Sequence, residues 1–117
     1  MSDVCSDYAI ALANNGPVQA TAMLKNAGGA LPLAAATKTV AIIGPNADLS
    51  KSDVSYYGPR TPCGSNYWTI GDAVTKHSSA TVTTALGVPT VLSSNTSGIA
   101  AAVEAAKTAD EVILAVG

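Results

Sequence analysis

The sequence predicts an α/β fold built on an incomplete parallel sheet, and three observations carry that prediction. Thr39-Val40-Ala41-Ile42-Ile43 is short and apolar on both faces, as a strand buried on two sides requires. Two more β-rich segments, 80–85 and 111–116, follow, each preceded by a stretch with helical patterning. Strand, helix, strand, helix, strand, with crossovers of this length, argues for parallel pairing through right-handed connections.

Taken in order, residues 6–15 read as a helix with Ser6 or Asp7 able to cap its first amides. Asn14-Asn15-Gly16-Pro17 then interrupts it. Pro17 suits the first turn of a second helix, where its missing N–H costs nothing, so the lead-in over 6–25 is expected as two short helices. A Gly28-Gly29 turn and Leu31-Pro32-Leu33 return the chain to the first strand, which stops at Gly44-Pro45-Asn46 because proline withholds a ladder donor. In open parallel sheets ligands sit at the carboxyl ends of strands, so this turn marks the candidate functional edge.

The stretch 47–67 is irregular, rich in Ser, Gly, Pro and Tyr, and holds three of the four tyrosines beside the single tryptophan. A loop of this length in a small domain is commonly functional. Residues 70–77 read as a short helix with Thr69 as cap and Ile70, Ala73 and Val74 on one face. After the strand at 80–85, Gly87 opens a loop that carries Asn95-Thr96-Ser97, an N-glycosylation sequon with meaning in a secreted protein. Ser97 is placed to cap a helix over 98–109, in which Ile99, Val103 and Ala106 share one face and Glu104 and Lys107 another.

Composition excludes several function classes. The chain of 117 residues has room for one domain, and its formal charge of -2 offers no basic patch for nucleic acid. No apolar run is long enough to span a bilayer, so no membrane partner is expected. The N-terminus has acidic residues and no basic region, unlike a signal peptide. Apolar residues make up 48% of the chain, with no phenylalanine, so the core must rest on Val, Ile, Leu and closely packed alanine. One histidine and two distant cysteines form no metal-ligand set, and the turn at Gly44 lacks the G-x-G-x-x-G spacing of a phosphate cradle. No cofactor is implied.

The residues LKN at 24–26, GGALPL at 28–33 and VAIIGPNAD at 40–48 resemble the opening of the C-terminal α/β domain of glycoside hydrolase family 3. AAVEAAKTADEVILAVG at 101–117 resembles its next helix and strand, and Tyr56-Tyr57-Gly58-Pro59 followed by Pro62-Cys63 is similar to a loop of its β-xylosidase-like members. The resemblance implies an incomplete three-layer sandwich with a flavodoxin-like arrangement. Residues 1–117 would form the N-terminal part of that domain, with a helical lead-in at 6–25 and a βαβαβ core at 38–117. It implies a retaining hydrolase of terminal β-linked sugars, most like a β-D-xylosidase acting in xylan breakdown, and an extracellular location. The alternative reading is a non-catalytic α/β module that binds a sugar or metabolite.

Retaining glycosidases use two carboxylates about 5–5.5 Å apart. By resemblance the nucleophilic aspartate lies in an N-terminal barrel domain and the acid/base further along the C-terminal domain, so no residue of this chain is expected to be catalytic. Substrate contacts are expected from Tyr56, Tyr57 and Trp68, whose flat faces suit the C–H side of a pyranose. Asp48 and Asp53 are secondary candidates for a sugar hydroxyl. Lys76-His77 resembles a sugar-holding pair of this family, but that pair belongs to the barrel, and His77 reads as a solvated helix end. The strand at 80–85 ends in Gly87-Val88 where the family has Gly-Cys, so Cys63 is expected as a free thiol rather than half of a bridge.

Overall fold

A computed structural model describes residues 3–49, 62–64 and 68–116. Three strands, β1 (Thr39–Ile43), β2 (Thr81–Ala85) and β3 (Glu111–Leu114), form one parallel sheet in the order β2-β1-β3. Three helices accompany them: α1 (Asp7–Ala20), α2 (Ile70–His77) and α3 (Ile99–Thr108). The α/β reading, the parallel pairing and the position of each strand follow the sequence closely, with β1 and α2 at the expected residues.

The core is centred on β1. Val40, Ala41 and Ile42 are 1%, 0% and 0% exposed, because β2 and β3 flank the strand and a helix covers each face. Alternation along the strand sends Val40 and Ile42 to one side, where Val74 of α2, Val82 and Ile113 pack against them. Ile43 falls on the other side, where it lies in one trough with Ile99, Ala102 and Val103 of α3. Moving from β1 to β2 and then back past β1 to β3 with right-handed crossovers puts the two helices on opposite faces.

α2 starts as expected. Thr69 Oγ1 accepts from the Asp72 N–H at 3.0 Å, and the Asp72 carboxylate accepts from the Thr69 N–H at 2.9 Å, a reciprocal cap. α3 starts differently: its N-cap is Gly98, with no side-chain cap, in place of Ser97. A Cβ on Gly98 would meet the Gly87 carbonyl oxygen at 2.7 Å, so close approach of the two loop ends fixes where this helix begins.

The lead-in differs from the expected pair of helices. α1 runs unbroken through Gly16 and Pro17 and ends at Ala20, where the Thr21 N–H and hydroxyl both donate to the Pro17 carbonyl at 2.9 and 2.6 Å. No residue of α1 is buried, so water can reach the carbonyl that Pro17 leaves without a partner. The helix stops short of Lys25: Leu24 is 95% exposed and packs against nothing among the described residues, and short helices depend on such packing.

Cys63 is not a free thiol. It forms a disulfide with Cys5 across 58 residues, with Cα atoms 5.4 Å apart. The missing Gly-Cys partner near residue 88 removed one possible bridge, whereas the fold brings the N-terminal segment to Cys63 instead. The bridge joins α1 to the stretch that follows β1.

Two outcomes are expected on unfolding in urea. Ile42→Ala, which opens a cavity under α2, should cost about 2–5 kcal/mol, a large share of the roughly 5–15 kcal/mol of a small domain. Reducing the Cys5–Cys63 bridge should cost only about 2 kcal/mol or less, the low end for a disulfide, because α1 has no buried residue and gains freedom in the folded state too. Limited proteolysis should show cleavage within α1 rising on reduction while the sheet stays protected.

Candidate functional site

The carboxyl edge of the sheet is built on the turn that closes β1. Gly44 adopts φ 128°, and a Cβ there would collide with the carbonyl of Ala115, so only glycine fits between the ends of β1 and β3. The Gly44 N–H donates to the Ala85 carbonyl at 3.1 Å, and the Asn46 N–H to the Ala115 carbonyl at 3.1 Å. Ala115 in turn donates to the Ile43 carbonyl at 2.7 Å. The turn is thereby tied to both neighbouring strands and holds Pro45, Asn46 and Asp48 at the rim.

A cavity of about 340 Å³ opens there between Pro45, Asn46 and Leu49 on one side and Pro89, Thr90 and Val91 on the other. Asp48 is exposed beside it. Trp68 precedes the N-cap of α2, whose first turn approaches Thr84 and Ile42 through Gly71, so its backbone lies toward that edge while its indole reaches Lys76 in the last turn of the helix. It is 56% exposed, and the Lys76 ammonium lies 4.1 Å from its ring centroid. That cation–π contact steadies the ring without burying it. Tyr56, Tyr57 and Asp53 lie outside the described residues.

A larger cavity, about 630 Å³, lies at the opposite, amino edge among Leu33, Val40, Val74, His77 and Ala80. His77 is exposed in the last turn of α2 on this far side, away from the turn after β1. A third hollow of about 330 Å³ runs between α3 and β3, lined by Ile99, Val103, Ala106, Val112, Leu114 and Val116. It presents almost no polar group and can perform no acid–base chemistry.

Two carboxylates have structural work that sequence reasoning did not assign in full. One Asp110 oxygen accepts from the backbone N–H groups of Lys38 and Thr39 at 3.0 and 2.9 Å and from the Thr39 hydroxyl at 3.0 Å. These bonds, the Lys38 amide first, hold its carboxyl below the ordinary carboxylate range. They latch the start of β3 to the start of β1. Asp72 is likewise lowered, first by the Thr69 amide and then by its hydroxyl. A carboxyl kept ionised by its own donors makes a poor general acid near neutral pH. The signal for Asp72 was its spacing from Thr69. For Asp110 there was none, since its partners lie more than seventy residues away. Among the described residues no three His, Cys, Asp or Glu side chains gather as a metal site would need.

Both carboxyls are lowered on folding, so their contribution to stability is present above the unfolded value near pH 4 and is lost as pH falls through the lower folded values. Thermal melts from pH 7 downward should fall below about pH 4, and in Asp110→Ala the whole curve should lie lower with a shallower acid limb. A mutant curve parallel to wild type would exclude the latch.

Comparison with known proteins extends this geometry. A family model described as glycosyl hydrolase family 3 C-terminal domain matches residues 21–117. Beta-D-xylosidase 3 of Arabidopsis thaliana is 37% identical over 117 residues, covering 98% of this chain and 14% of that protein. The probable exo-1,4-beta-xylosidase xlnD of Aspergillus terreus (strain NIH 2624 / FGSC A1156) is also 37% identical over 117 residues, covering 99% of this chain and 14% of that protein. The chain thus spans about one seventh of the length of these curated relatives.

Proposed function

Because the chain belongs to the family of glycosyl hydrolase family 3 C-terminal domains, we propose that it is one part of a retaining glycoside hydrolase that removes terminal β-linked sugars, with D-xylose the sugar released. The observation that carries the reading is 37% identity, sustained over nearly the whole chain, to two relatives named as xylosidases. Their much greater length leaves room for the two carboxylates that double displacement needs.

Within that enzyme this segment supplies a wall of the substrate pocket and no reacting group. Asp72 and Asp110 are committed to structural hydrogen bonds, and Asp48 stands exposed at the rim. Trp68, 56% exposed with its ring against the Lys76 ammonium, offers a surface for a pyranose ring, with Tyr56 and Tyr57 as further contacts. A barrel domain of the same parent chain is the proposed source of the nucleophile, and the carbohydrate is the proposed partner. Secretion is part of the proposal, supported by the Cys5–Cys63 bridge, since disulfides persist in oxidising compartments.

The 117-residue chain alone should leave an aryl β-xyloside intact, while the parent enzyme should cleave it with a higher kcat/KM than the aryl glucoside. Turnover by the isolated chain would overturn the division of labour, and a preference for glucoside would overturn the choice of sugar. In the parent enzyme Trp68→Ala should raise KM about two- to tenfold, the equivalent of about 0.5–1.5 kcal/mol of ring contact, with kcat little changed. An unaltered KM would remove Trp68 from the substrate site.

A further inference from the structure

The loop between β2 and α3 carries a tripeptide that neither the fold nor the proposed hydrolysis uses. Asn95, Thr96 and Ser97 are all exposed. The Asn95 side-chain oxygen accepts from the Ser97 N–H at 3.0 Å, and the Asn95 N–H donates to Ser93 Oγ at 3.1 Å. This local turn engages the oxygen of the side-chain amide and takes nothing from its nitrogen. The tripeptide has the Asn-x-Ser form with a non-proline centre.

We propose that Asn95 is an N-glycosylation site. The co-reactant is an oligosaccharide linked through a diphosphate to a membrane lipid. Asn95 Nδ2 forms a bond to the anomeric carbon of the reducing-end sugar as the bond from that carbon to the phosphate oxygen breaks. The lipid diphosphate leaves with the electron pair, and Nδ2 gives up one proton to a base of the transferase, so no oxidant or reductant is needed. The turn supports the reaction in two ways. It holds the side chain at the surface where a transferase can reach it, and it ties Asn95 to the backbone of Ser97 two residues on, the position at which the sequon is recognised. The adjoining Val91 and Leu92 are 54% and 94% exposed, so a glycan on this loop would also stand beside an apolar stretch and hinder self-association through it.

The inference rests on the secretion reading, and the Cys5–Cys63 bridge gives a separate marker of passage through an oxidising lumen. The full chain, fused to a cleavable secretory leader, is expressed in yeast and recovered from the medium. Trypsin cuts after Lys76 and Lys107 and releases the segment that contains Asn95. Peptide N-glycosidase in heavy-oxygen water should then convert Asn95 to labelled aspartate, with a matching loss of mass from the intact chain. Asn95→Gln and Ser97→Ala should both abolish the label, and Ser97→Thr should retain it. Secreted chain with the bridge formed and Asn95 unlabelled would overturn the glycosylation site alone. Secreted chain with neither the bridge nor the label would overturn the site and also remove the bridge as support for the secretion reading.

Discussion

Burial of β1 on every side is the constraint from which the described structure follows. A parallel strand closed in by two others and covered above and below can hold only apolar side chains, and Val40, Ala41 and Ile42 satisfy that with exposures at or near zero. Alanine at the middle position matters as much as the branched residues beside it. It is small enough to let α3, itself rich in alanine and buried through Ala102, come close to the sheet. The opposite face takes Val40 and Ile42 with Val74 and Ile113. A core without phenylalanine is therefore thin, and its packing depends on short distances rather than on large side chains.

The same strand divides the molecule into two edges with different duties. At the amino edge, Asp110 gathers the amides of Lys38 and Thr39 and sets the register of β3 against β1. At the carboxyl edge, Gly44 lets the chain turn under the Ala115 carbonyl and leaves Asp48 exposed at the rim. Carboxylates that hold the structure together are thereby withdrawn from acid–base chemistry, in keeping with the wall-forming role proposed for this segment.

The margins are less well satisfied than the centre. α1 has no buried residue and is joined covalently through Cys5, while Leu114 of β3 is 66% exposed along an apolar trough with α3. α3 lies toward β1 and β2, and among the described elements only β1 packs closely against β3. Such an arrangement is compatible with a chain that spans only a fraction of its relatives' length.

Local chemistry was enough to determine much of this protein from the sequence. The apolar run of β1, the Thr69 cap of α2 and the closing turn at Gly44 each depend on residues within a few positions of one another. The family was legible for the same reason, since its motifs are contiguous. Tertiary structure alone decided the rest. The Asp110 latch and the Cys5–Cys63 bridge join residues some sixty to seventy positions apart, and no local pattern encodes such a meeting. The passage of α1 through Pro17 and its end at Ala20 follow its exposure to solvent and the lack of a packing surface among the described residues, quantities set by the neighbours of a segment and not by its own residues.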